Sequence, residues 1–334
     1  MKKTLFTLIF LALIVSAVFS AVWHVNNIPG ITANFNDLSV ACSASQVADH
    51  DTLYVYGSPT QYTDVYLARP LTIIGPGYFL GQNYGLQNNP TPAVVGVLYF
   101  NEGAEGSLIS GMSITNISLY ANNVVVQRNW IDRLWIYSTN CIVLQNFFVN
   151  PRGYEFEIHC EGANYLIANN YIPGCEVNVS FEETGNSSGV FANNIVEGSC
   201  IFYNADVYNC IFSCSYSIST LWGWYFNYDA NTTFHHNVFR SVYNWDWPSI
   251  PGECNLLNSP NELYVASGST DGYYQLCQGS AAIGAGINGQ DCGIFGGLTP
   301  YHLSGIPAIP TIYEFTAPST GFVIPVQIKA RSNN

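Results

Sequence analysis

Six of the twelve glutamates of this 334-residue chain fall between residues 155 and 183, with no lysine or arginine among them. Paired carboxylates can act as acid and base on a glycosidic bond, or hold a calcium ion through oxygen ligands. On an extended strand Glu155, Glu157, His159 and Glu161 share one face, because side chains alternate. Glu176, Asn178, Ser180 and Glu182 do the same about one repeat later. Trp135 and Tyr137 alternate in the same way one repeat earlier, and aromatic rings of this kind stack on sugars. Stacked strands would join them into one surface, so the candidate ligand-binding set is Trp135, Tyr137, Glu155, Glu157, His159, Glu161, Glu176 and Asn178.

Spacing alone does not choose a chemistry for that surface. Carboxylates two residues apart on a strand are about 6.6 Å apart, and neighbours on stacked strands about 4.8 Å. Glycosidase pairs stand about 5–5.5 Å or about 6.5–9.5 Å apart, so any stack of strands meets both ranges. The same patch could hold Ca2+ through oxygen ligands, and crowded like charges should raise one or more of its carboxyl pKa values. A merely solvated face has the same pattern. No catalytic residue is assigned, no cofactor is required, and Ca2+ is the ion that the oxygen-rich set suits. Tyr243, Trp245 and Trp247 form a second alternating aromatic run, readable as a sugar platform or as a filled core turn. His235 and His236 are adjacent and should point to opposite sides of a strand, which argues against a shared metal.

The elements that would position these residues are marked by a recurring phrase. It appears as Arg128-Asn129-Trp130-Ile131, Gln145-Asn146-Phe147-Phe148, Asn169-Asn170-Tyr171-Ile172, Asn193-Asn194-Ile195-Val196, Tyr208-Asn209-Cys210-Ile211 and His236-Asn237-Val238-Phe239. The marked asparagines are 17, 24, 24, 15 and 28 residues apart, a loose period that suits one turn of a solenoid. Asparagine tolerates the left-handed backbone of a tight corner, and stacked asparagines can hydrogen-bond in a ladder. Alternation then points Leu134, Ile136, Ile158 and Cys160 inward. Propellers and sandwiches need tight hairpins, yet Asn-Gly occurs only at Asn288-Gly289.

Composition narrows the partners. Residues 1–21 read as a secretory signal, with Lys2 and Lys3, an apolar run from Leu5 to Val18, and a small-residue cleavage region. Without it the chain keeps seven basic against 22 acidic residues, which excludes nucleic acid and anionic lipid as natural partners. No membrane span is expected after cleavage. Ten cysteines show no zinc spacing. Cys160, Cys175, Cys200, Cys210 and Cys214 suit buried thiols inside the turns, whereas Cys277 and Cys292 bracket a glycine-rich loop and are the expected bonded pair.

The chain opens with a segment suited to a short helix (38–47), then Asp51-Thr52-Leu53-Tyr54-Val55 and Leu71-Thr72-Ile73-Ile74-Gly75; Ser107-Leu108-Ile109-Ser110-Gly111-Met112-Ser113-Ile114 follows. This resembles the opening of right-handed parallel β-helix proteins of the pectin-lyase-like kind. Gly279-Ser280-Ala281-Ala282-Ile283-Gly284-Ala285-Gly286 with Asp291-Cys292-Gly293-Ile294-Phe295-Gly296 resembles the closing turn of secreted bacterial β-helices that carry anchoring appendages. The resemblance implies an all-β, single-stranded right-handed parallel β-helix with an N-terminal capping helix over residues 22–297. A Pro-rich tail, 298–334, would then run extended along the solenoid and end in a strand at Val323 to Ile328.

The Asn-Thr-Asp, Asp-Asp and Gly-His-Gly motifs of polygalacturonase-like hydrolases do not occur in the chain. Nor is there a clustered set of aspartates beside an arginine, as in pectate-lyase-like enzymes. The expectation is therefore an exported, cell-surface protein that binds or displays, with a polysaccharide or surface glycan as partner. The alternative is a polysaccharide lyase or glycoside hydrolase of that superfamily, using Glu155, Glu157, His159 and Glu176. A purely structural surface-layer component would neither bind nor turn over.

Overall fold

The computed structural model describes residues 20–149, 156–173, 176–179, 188–198, 200–213, 226–228, 230–240, 253–256, 262–317 and 325–333. Residues 156–157, 176–179 and 226–228 are described by their backbone alone. Stacked parallel strands build a β-solenoid with a ten-stranded and a thirteen-stranded sheet, and a separate antiparallel hairpin, Thr311–Thr316 with Gln327–Arg331, ends it. The short helix spans Leu38–Ser43, capped by the Asp37 carboxylate on Ser39 N, and buries Leu38, Ala41 and Cys42.

The ten-stranded sheet shows why the stack holds. Leu53, Ile73, Ile109, Val126, Val143, Ile167, Phe191, Val207 and Phe234 stand in successive register, and each is fully buried. Burying one such side chain contributes about 1.5–3 kcal/mol, so every rung carries its own share of core.

The corner is an asparagine ladder, as the repeated phrase predicts. Asn129, Asn146, Asn170, Asn194 and Asn237 are all completely buried. The backbone N–H of Asn129 donates to Asn146 Oδ1, that of Asn146 to Asn170 Oδ1 and that of Asn170 to Asn194 Oδ1, each at 2.9 Å. The phrase at 208–211 is out of step by one residue. Its rung is Cys210, whose Sγ accepts from Asn194 N and whose N–H donates to Asn237 Oδ1, not the asparagine beside it. Asn209 instead takes the left-handed position that precedes each rung, with φ 55°, like Arg128, Gln145, Asn169, Asn193 and His236. Corner tolerance and ladder bonding are thus divided between two adjacent residues.

Seven-residue strands at Val94–Phe100, Ser113–Leu119 and Trp130–Ile136 run unbroken through the thirteen-stranded sheet. After the third of these the sheet forks. Trp130 and Ile131 pair with Phe147–Phe148, while Leu134, Trp135 and Ile136 pair with Ile158, His159 and Cys160. Two flanks continue from there along the solenoid.

The C-terminal segment packs back over the first flank. Asn209 Oδ1 accepts Ile287 N, Asn193 Nδ2 donates to Asp291 O, and Asn169 Nδ2 donates to Ile294 O and Gly296 O. Gln145 Nε2 donates to Thr299 O and Pro300 O, and Arg128 to Ile306 O. The corner side chains therefore hold a strap that runs antiparallel to the direction of winding. Beyond the strap the chain forms the hairpin whose second strand is Gln327–Arg331, and the start of the strand expected at Val323 to Ile328 lies outside the described residues.

Candidate functional site

The open flank of the thirteen-stranded sheet carries a row of aromatic rings. Tyr66 pairs with Tyr99, Tyr99 with Ser118, Ser118 with Trp135 and Trp135 with His159, so these five share one outward line. Ser118 is its gap. The row bridges that gap by stepping two residues along the strand to Tyr120 and Tyr137. Tyr66 and Tyr99 lie 4.9 Å apart with planes at 13°, Tyr99 and Tyr120 6.4 Å at 15°, and Tyr120 and Tyr137 5.0 Å at 6°. Trp135 is 6.1 Å from Tyr137 at 11°, and 4.7 Å from the His159 ring. Strands about 4.8 Å apart favour such offset stacks, each pair adding about 0.5–1.5 kcal/mol beyond its buried area.

Trp135 and Tyr137 do face outward between buried Leu134 and Ile136, and His159 and Glu161 face outward around buried Cys160, as alternation predicts. His159 Nε2 lies 2.7 Å from Glu161 Oε1. Asn178 pairs with His159 along the backbone, which places it on the same line, and a bulge between Phe156 and Ile158 shifts the register at Glu157. Glu155 lies outside the described residues, as do the side chains of Glu157, Glu176 and Asn178. Those carboxylates are therefore not brought together or separated by anything described. Among the described residues no group of three or more His, Cys, Asp or Glu is placed to hold a metal ion.

Ring orientation changes what the aromatic pair can do. Tyr137 has Tyr120 stacked over it at 5.0 Å, so part of its face is taken by a neighbour. What the row offers outward is ring edges, offset parts of faces and phenolic hydroxyls. Tyr66 is 67% exposed, Tyr120 50% and Tyr137 38%. Burial, with the neighbouring tyrosines and Glu161 adding to it, raises the Tyr137 pKa, so the phenol stays neutral and keeps its donor at ordinary pH.

Other expectations meet the structure unevenly. Tyr243, Trp245, Trp247, Cys175 and Cys214 lie outside the described residues. Cys160, Cys200 and Cys210 are buried free thiols inside the coil. Cys277 and Cys292 are not bonded to each other; Cys277 donates to Glu262 O and Cys292 to His236 O. His235 and His236 do not diverge, because His236 leaves the strand at φ 56° and alternation ends there. Their Nδ1 atoms are 3.2 Å apart, and His235 Nε2 is 3.1 Å from Asp206 Oδ1.

Two groupings had no local signal in the sequence. Tyr66, Tyr99 and Tyr120 join Trp135 and Tyr137 only through register across loops of different length. Under the strap, Tyr171 donates to Glu197 Oε2 at 2.8 Å, and the Tyr274 hydroxyl donates to that of Tyr171. Burial raises the Glu197 pKa, with the Tyr171 hydrogen bond and Arg240 pulling it back. Asp271, fully buried, accepts from Asn83 Nδ2, Gly272 N, the Tyr301 hydroxyl and Ser304 N, and so fastens the strap to the loop after Tyr78.

Comparisons with protein-family models, curated proteins and solved structures return no match to this chain. The parallel solenoid stands on its own coordinates, and the likeness to pectin-lyase-like proteins remains a likeness of sequence phrases.

Proposed function

We infer that this chain is an exported, cell-surface β-solenoid that binds or displays without catalysing, with a polysaccharide or surface glycan as its ligand class. The observation that carries this reading is the row Tyr66, Tyr99, Tyr120, Tyr137, Trp135 and His159, left outward while the neighbouring flank is covered. Five stacked strands give it a length of about 19 Å along the axis. An extended polymer lying on such a row meets similar contacts at every rung. Phenolic hydroxyls supply hydrogen bonds, and ring edges and offset faces supply contact with sugar C–H groups. Glu161 beside the row, and the acidic residues 155–183 with it, would add hydroxyl acceptors or hold Ca2+. The signal-like residues 1–21 support export, and the acidic balance of the chain supports a partner that is not nucleic acid.

A glycan array, run with reducing-sugar and unsaturated-product assays on the same glycans, tests this. Binding without product is the expected result. Turnover that disappears in Glu157→Gln would replace it with the lyase or hydrolase reading. Absence of both would leave a structural surface component.

A further inference from the structure

We propose that a second site, a cleft between the first rungs of the ten-stranded sheet and the C-terminal hairpin, binds a small uncharged saccharide. The cleft encloses about 500 Å³, within the range of about 300–1,000 Å³ usual for small-molecule sites. Tyr54 and Tyr56 form one wall, Gln87 and Asn88 a second, and Ile312 and Phe315 of the hairpin a third. It lies on a different sheet from the aromatic row and stands whether or not that row binds anything.

Three observations select the ligand's chemistry. Among the described residues no lysine, arginine, aspartate or glutamate lines the cleft, so a charged ligand would lose hydration and gain no counter-charge there. The side-chain amides of Gln87, Asn88 and Asn89 line the cleft, and a purely apolar ligand would displace their water without replacing its hydrogen bonds. The rings of Tyr54 and Tyr56 meet edge to face, 5.0 Å apart at 84°, while Ile312 and Phe315 keep 47% and 50% of their surface exposed. A sugar ring combines what these walls ask for: hydroxyls for the side-chain amides and C–H faces for the aromatic and aliphatic surfaces.

The walls are already held in place. Asn88 N donates to Ile312 O at 2.8 Å and Thr311 Oγ1 to Leu86 O at 3.1 Å, tying the hairpin to the loop. Asn333 Nδ2 donates to Ile309 O and Thr311 Oγ1, fastening the hairpin's end. On the opposite wall the Tyr56 hydroxyl sits 3.1 Å from His24 Nδ1, which orients its ring. A prebuilt cleft spends little of its binding free energy on ordering.

The test titrates the full chain with cellobiose, maltotriose and chitobiose, and with digalacturonic acid as the charged comparison, followed by calorimetry and saturation-transfer NMR. At least one neutral sugar should bind more tightly than the acid. Phe315→Ala and Gln87→Leu should each weaken it tenfold or more, and Leu298→Ala, on the exposed strap, should change it less than twofold. If Gln87→Leu fails to fold, Phe315→Ala on its half-exposed ring carries the same reading. No binding of any neutral sugar, equal or tighter binding of the acid, or binding unchanged by the cleft variants would overturn the proposal. Loss of glycan binding in Tyr120→Ala with the cleft titration intact would bear on the aromatic row alone.

Discussion

The two flanks of the thirteen-stranded sheet start from the same strand, Trp130–Ile136, and meet different fates. On the first flank the residue after each corner rung faces away from the coil: Phe147, Tyr171, Ile195, Ile211 and Val238. All are buried in a second core together with Tyr264, Cys292, Ile294 and Tyr301 of the strap. On the second flank the outward line is Tyr66, Tyr99, Tyr120, Tyr137, Trp135 and His159, whose rings stack on one another. Aliphatic side chains suit a surface that is removed from water. Tyrosines suit one that stays wet, because the hydroxyl keeps its hydration while the ring is half covered. Outward apolar character therefore has two meanings in one sheet, and the cover that the strap supplies separates them, since Phe147 and Tyr171 on the covered flank are aromatic as well.

The largest effect should come from the fastening of the strap. Asp271→Ala leaves four donors, including two backbone N–H groups, without their buried acceptor, and should cost about 3 kcal/mol or more in urea unfolding. A loss under about 1 kcal/mol would mean that the strap contributes little and that the flanks differ less than described. Next comes the covered flank itself. Ile211→Ala should cost about 2–4 kcal/mol, since it empties a fully buried position between solenoid and strap.

A pH series sharpens the same contrast. Burial keeps the folded Glu197 pKa above its ordinary value. A carboxyl with a raised folded pKa favours the folded state most below the unfolded value, and that contribution is lost as pH rises through the folded value. Glu197→Gln keeps the neutral form throughout. Its melting temperature relative to the natural chain should therefore climb as pH rises above the ordinary glutamate value of about 4.3. A flat or falling difference would contradict the assignment. The smallest effect belongs to the open flank, where Tyr120→Ala should change unfolding free energy by about 1 kcal/mol or less. Equal losses for Ile211→Ala and Tyr120→Ala would erase the comparison.

The coil and its corner were legible because their rules are local. An asparagine after a left-handed residue marks a rung, and alternation assigned Leu134 to Tyr137 and Ile158 to Glu161 to the correct faces. The phrase at Asn209-Cys210 misled by one residue because a thiol can take the rung and an asparagine the left-handed place beside it. The strap was not legible, since its bonds join residues such as Gln145 and Pro300, far apart in the chain. One signal for it was present. Paired apolar residues after each rung, as in Phe147-Phe148 or Ile195-Val196, demand that both faces of the strand be covered. The aromatic row needed register across unequal loops, so of its members Trp135, Tyr137 and His159 were readable as part of a surface, and Tyr66, Tyr99 and Tyr120 were not.

The most direct measurement is a titration of the tightest array glycan against the natural chain and the Tyr120→Ala/Tyr137→Ala double variant, both checked for an unchanged melting curve. An affinity at least tenfold weaker in the double variant, with no product formed by either protein, is the predicted result. Equal affinity for the two folded proteins would contradict the assignment of the open flank as the binding surface.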